Sequence, residues 1–144
     1  MPHLASWQGW ALLSAVFAAL TAIFAKIGVE AVPPDLATFL RTLVVVAVLA
    51  LLLTLTGEWR PLDAVPARAW IFLILSGLAT GASWLCWFRA LSLGDAARVA
   101  PIDKLSVVLV AVFGVTLLGE RLSLLQWGGV ALVGAGAVLL VVSG

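Results

Sequence analysis

The chain has 144 residues, of which 64% are hydrophobic and only 10% charged, with a mean hydropathy of +1.22. An ordinary soluble domain is roughly half apolar and about a quarter charged, so a water-soluble fold of this size could not hide so much apolar surface. A net charge of +1 without any Lys/Arg run lacks the clustered basic footprint of a nucleic-acid partner. A single Cys86 excludes a disulfide or metal framework within one chain.

A hydrocarbon core about 30 Å thick takes roughly 20 apolar residues per helix, and the chain offers about five such runs separated by short polar joints. The expectation is an all-α membrane protein with five transmembrane helices in one domain over residues 1–144. His3 reads as solvent-exposed. The segment before Trp7 has no Lys or Arg to serve as the basic start of a secretory signal, so the first run reads as a retained span.

That first span covers about Ala5 to Val29 and carries Ser14, Ala18 and Ala22 on a small-residue stripe leading to Lys26, a stripe suited to face another helix. Pro33-Pro34 breaks the chain. Asp35 reads as the N-cap of a second span over about residues 34–56, closed by Gly57. Glu58 to Arg68, with Pro61 and Pro66, is the longest polar connector and reads as a surface loop. The third span, about Ala69 to Leu91, contains Gly77 and Gly81 in a small-xxx-small arrangement that suits close backbone packing, and ends in the aromatic-rich SWLCWFRAL. Cys86 within it reads as a small buried hydrophobe.

The fourth span, about Ala96 to Leu118, starts after Asp95 as N-cap and holds Pro101 in its second turn, where the missing N–H frees the carbonyl of Ala97. The fifth opens at Ser123 with a Ser-x-x-Gln capping box and runs to about Val142. Its small residues, especially Gly129, Gly134 and Gly136, suit close helix association within or between subunits.

Arg41, Asp103 and Lys104 fall well inside spans. A charge at a helix centre costs about 2.5 to 3.5 kcal/mol on insertion scales, so such residues face a bundle interior or a wet cavity. Counting helices places Lys26, Arg41, Arg89, Asp103 and Lys104 within about two turns of the same membrane side. The rises from Asp35 to Arg41 and from Asp95 to Asp103, roughly 9 and 12 Å, predict one cluster of Arg41, Asp103 and Lys104 below the headgroups. Two simpler readings stay open: Lys26 and Arg89 snorkel to the interface, and Asp103 pairs with Arg41. Trp84 and Trp87, three apart, share a helix face. They form either an interfacial aromatic belt or a cavity wall stacking on solute or on Arg41 or Arg89.

With one His, one Cys, no glycine-rich phosphate loop and no base beside a serine, the sequence supports no enzyme, no metal site and no cofactor.

FAKIGVE, DLATFLRT, SGLATGASWLCWFRALSLGDAARVAPIDKLSVV and LLGERLS resemble the EamA-type transporters of the drug/metabolite transporter superfamily, in the short bacterial and archaeal group with one domain per chain. The more specific parts are APIDKLS and LLGERLS. Long members carry two five-helix repeats of opposite topology with a substrate cavity between them. One repeat per chain therefore implies an antiparallel homodimer in a prokaryotic cytoplasmic membrane. Arg60, Arg68 and Arg121 on one side balance Lys26, Arg89 and Arg98 near the span ends on the other, and such a level tally is what dual insertion requires. Small multidrug-resistance proteins look different, with four helices and a membrane-embedded glutamate in the first.

The expected function is a secondary transporter, an exporter of a small metabolite or drug-like solute, working by alternating access. Lys26, Arg41 and Lys104 would bind an anionic or zwitterionic solute, and Asp103 would hold the cations or carry a coupling proton. The alternative is a non-transporting assembly subunit of a larger membrane complex, its charges serving as interhelical glue.

Overall fold

The structure is a computed structural model that describes residues 7–142; His3 and the expected start of the first span at Ala5 lie outside them. Six α-helices follow in order: α1 Trp7–Val29, α2 Pro34–Thr56, α3 Ala67–Leu93, α4 Ala96–Asp103, α5 Leu105–Leu117 and α6 Leu124–Val142. Five segments are long and apolar enough to cross a bilayer, with α4 and α5 together forming the fourth, Ala96–Leu117.

The helix ends follow from local chemistry. Gly57 adopts φ +69°, the left-handed geometry that costs glycine least, and Glu58 N–H donates to Leu53 O at 3.1 Å. Gly119 repeats the device after α5 with φ +69°, and Glu120 N–H donates to Gly114 O at 3.0 Å. Each turn satisfies a carbonyl that the helix end would otherwise leave without a partner. At the start of α6, Ser123 N–H donates to Gln126 Oε1 at 2.7 Å and Gln126 N–H to Ser123 Oγ at 3.3 Å, a reciprocal capping box.

Asp35 departs from its expected role. Pro33 is the N-cap of α2, Pro34 opens the helix, and Asp35 lies in its first turn. Proline at the first helical position brings a fixed φ and no N–H to satisfy, which moves the cap back from Asp35 and leaves its carboxylate for another partner. Asp95 does occupy the N-cap of α4, but through its carbonyl: Arg98 and Val99 N–H donate to Asp95 O at 2.9 and 3.0 Å.

The fourth span is broken rather than continuous. Lys104 separates α4 from α5 with φ −70° and ψ −8°, and its N–H donates to Pro101 O at 3.1 Å. Proline disrupts the i→i−4 ladder, and the chain tightens locally to i→i−3 bonding. Threonine hydroxyls within the spans donate back to carbonyls one turn earlier, as from Thr38 to Pro34 at 2.9 Å and from Thr116 to Val112 at 2.8 Å. This satisfies the hydroxyl without water.

The chain divides into two compact units. One comprises Ile23–Leu93; among the described residues the other combines 7–22 with 94–142. In the first, α2 packs on α3; in the second, α6 packs on both α4 and α5. Among the described residues Leu91 is the one large side chain that is fully buried, while Leu, Val, Ile and Phe stand exposed along every span. Apolar exposure on this scale is tolerable only where lipid or protein replaces water. On α1, Ala22 is buried with Ala25 and Val29, whereas Ser14 and Ala18 are exposed, so the burial of the expected stripe is confined to its C-terminal part. Cys86 is exposed too, because it lies beside Leu85 on an outward face of α3.

The glycines fall into two groups. A Cβ built at Gly134 would lie 3.1 Å from Val108 Cγ2, so α6 approaches α5 closely there. At Gly77, Gly81, Gly129 and Gly136 a Cβ would meet nothing within 4 Å. Among the described residues of their unit, the close approach expected at Gly77 and Gly81 is therefore not made. Replacing Gly134 by Leu should destabilise the fold by about 1–3 kcal/mol through overpacking, read as a lower thermal midpoint in detergent. The same replacement at Gly129 should leave that midpoint within experimental error.

Candidate functional site

The intramembrane charges are built from helix geometry. In the unit Ile23–Leu93, α2 carries Arg41 two turns in from its start and α3 carries Trp84 and Phe88 one turn apart. The Arg41 guanidinium lies over both rings, 4.3 Å from the Trp84 centroid and 5.6 Å from that of Phe88. Phe88 is buried, and Arg41 and Trp84 are half-buried. A flat, weakly hydrated guanidinium suits this stacking, and contact with an aromatic face compensates part of the lost hydration. Stacking occupies the plane of the cation and leaves its N–H edge available. Of the two roles open to Trp84, the structure supports stacking on Arg41; Trp87 is half-buried with no cation over its ring among the described residues.

Within this unit Arg41 has no carboxylate partner, because Asp35 is engaged elsewhere. Arg89 Nη2 donates to both Asp35 oxygens at 3.0 Å, joining the last turns of α3 to the first turn of α2. Both side chains are about two-thirds exposed, so the pair contributes little stability and serves chiefly to register the two helices. Asp35 also benefits from its place at a helix N-terminus.

Lys26 reaches from α1 to Leu91 O at 2.8 Å. Leu91 belongs to the last turn of α3, where carbonyls lack helical partners and the helix dipole favours a cation. Its position thus gives Lys26 a structural task as a cap.

The second unit holds Asp103 and Lys104 at the break between α4 and α5. Lys104 Nζ lies 3.3 Å from Asp103 Oδ2, with both side chains about half exposed. The pairing of Asp103 seen in the structure is thus with its neighbour Lys104. A groove of about 380 Å³ opens beside them, lined by Ala100, Pro101, Lys104, Val133 and Ala137.

One residue of the sequence motif LLGERLS, Glu120, has a structural role that the composition of the motif did not disclose. The side chain of Glu120 folds over Gly114, where a Cβ would come within 2.5 Å of Glu120 Oε2. Gly114 is buried in the last turn of α5, so the glycine makes room for the carboxylate. The signal available in the sequence was the pairing of a glycine inside a helix with a Gly-Glu turn one and a half turns later.

Five segments long and apolar enough to span a bilayer mark a multi-pass membrane protein, and the chain belongs to the EamA-like transporter family, whose model matches residues 5–142. Over 137 residues it is 62% identical to a protein of a Sinorhizobium species described as an uncharacterized transporter in the cobO 3′ region, covering 95% of this chain and 97% of that relative. No solved structure matches the chain.

Proposed function

We propose that this transporter is a secondary carrier that exports a small anionic or zwitterionic solute across the prokaryotic cytoplasmic membrane by alternating access, working as an antiparallel homodimer. The observation that carries the reading is Arg41: a permanent cation inside a span, stacked on Trp84 and Phe88, with no carboxylate partner in its unit. An uncompensated charge at that depth is costly, and an arriving carboxylate or phosphate would recover that cost through the free guanidinium edge. Binding of this kind favours the solute-loaded state and supplies the differential affinity that a conformational cycle requires. The decisive experiment is reconstitution: purified protein in liposomes should move a labelled anionic solute, and Arg41→Gln protein of equal folding should move it at least about tenfold more slowly.

The antiparallel arrangement is supported by the level Lys/Arg tally of the connectors. In a Cys86→Ala background, cysteines engineered at either terminus should react with membrane-impermeant reagent from both sides of the membrane. A single orientation for every molecule would overturn the inverted dimer. Adding a few lysines to the connector between α2 and α3 should impose one orientation and abolish transport, and co-expression with a chain biased the opposite way should restore it.

A further inference from the structure

We infer that the groove between α4 and α6 is a subsite for the apolar body of the transported solute, and that the solute is accordingly an amphiphilic anion: an acidic group carried on a small hydrocarbon moiety. This rests on the reading of the chain as a carrier for an acidic solute and narrows the class.

The groove measures about 380 Å³, near the lower end of the range of roughly 300–1,000 Å³ for small-molecule sites. Four of its five lining residues, Ala100, Pro101, Val133 and Ala137, offer only methyl, methylene or branched aliphatic surface, and Lys104 is the one charged residue of the wall. Small residues on both helices create the space. Pro101 contributes a second condition, since it has no N–H to donate to Ala97 O and breaks the ladder beside the groove. An apolar wall, to which Lys104 contributes its hydrocarbon stem while its ammonium lies beyond, beside Asp103, fits a ligand whose apolar end fills the groove and whose anionic end reaches past it to that ammonium.

Depth separates a solute from a lipid headgroup as the source of the anion. Lys104 lies eight residues beyond Ala96, the first residue of the span, which is roughly 12 Å along the axis. In a hydrocarbon core about 30 Å thick that is nearer the midplane than the phosphates. An anion meeting Lys104 there is carried in by a solute. Its acidic group would compete with Asp103 Oδ2, now 3.3 Å from Lys104 Nζ, for the same ammonium.

The test uses the full chain in nanodiscs of phosphatidylcholine, titrated with propanoate, pentanoate and heptanoate and with the alcohols of matching length. Native protein should bind the acids about fourfold more tightly for each added methylene that enters the groove, and should prefer each acid to its alcohol. Val133 is 42% exposed, so Val133→Phe adds its ring from the open side of the groove and should flatten the chain-length series. Val133→Ala should keep the rise and extend it to a longer acid. Lys104→Gln should remove the preference for acid over alcohol while leaving the rise in place.

A series equally steep in native and Val133→Phe protein would reflect partitioning into the bilayer and overturn the subsite. So would the absence of any preference for acid over alcohol. Loss of acid binding when phosphatidylglycerol replaces phosphatidylcholine would assign the groove to lipid and also overturn the inference. Transport that depends on Arg41 but ignores Val133 would remove the subsite and leave the carrier reading intact. A chain-length series without any transport in liposomes would do the reverse.

Discussion

Arg41→Gln should lower solute transport roughly 10- to 150-fold, because a charge-assisted hydrogen bond contributes about 1.5–3 kcal/mol and each 1.4 kcal/mol is a factor of ten. Arg41→Lys keeps the charge but loses the planar edge and the stacking geometry, so it should fall between native and Gln, chiefly as a higher KM. Trp84 acts through Arg41, as a positioning residue 4.3 Å from its guanidinium. Trp84→Leu should therefore raise KM about two- to thirtyfold, the range set by a cation–π contact of roughly 0.5–2 kcal/mol, and Trp84→Phe should recover most of that loss by restoring a ring face. Initial rates of labelled solute entry into liposomes, measured across substrate concentrations, read both parameters. Normal transport by Arg41→Gln protein would remove the cation from the mechanism altogether.

Arg41 was visible in the sequence because its signal is one of contrast: a guanidinium among DLATFLRTLVVV costs free energy that only a purpose in the fold offsets. Span number and span ends were legible for a related reason. The turn at Gly57 and the Ser123–Gln126 capping box use interactions between residues three to six apart, so the residues that make them are adjacent in the sequence. The pairing of Asp35 with Arg89 spans 54 residues and depends on the packing of α2 against α3, which no local pattern encodes. The same limit explains Gly77 and Gly81. Their spacing equips them for close helix contact, but spacing cannot name the neighbour, and among the described residues of their unit no atom takes the place. Gly134, with an equally ordinary sequence context, is the glycine that meets Val108.

Pro101 shows a third kind of shortfall. Its lost N–H and the freed carbonyl of Ala97 follow from proline chemistry alone, yet the helix breaks at Lys104, three residues farther on. The tightened i→i−3 bond from Lys104 N–H to Pro101 O moves the disturbance forward along the chain. The consequence is that the two adjacent charges of the span, Asp103 and Lys104, sit at the irregular turn rather than within a regular helix, where backbone groups and side chains can rearrange together.

That placement leads to the sharpest test of the fourth span. Asp103→Asn should leave Lys104 without its counter-ion inside the membrane and lower the thermal stability by about 1–3 kcal/mol, a range that reflects both the cost of an unpaired intramembrane charge and the partial exposure of the pair. Asp103→Asn combined with Lys104→Gln removes both charges and should recover most of that loss, so the two changes are strongly non-additive. Thermal unfolding of the three proteins in the same nanodiscs measures the coupling directly. Transport as a function of pH then separates the two roles open to Asp103. If its carboxylate serves only to hold Lys104, the double variant, though slowed by loss of the Lys104 ammonium that meets the solute, should keep a native pH profile. If it also carries the coupling proton, the double variant should be well folded yet lose the acceleration that a proton gradient gives to native protein. An Asp103→Asn protein as stable as native, with the same pH dependence of transport, would show that Asp103 is neither counter-ion nor proton carrier, and would leave Lys104 as the one charge of the fourth span with a claim on the solute.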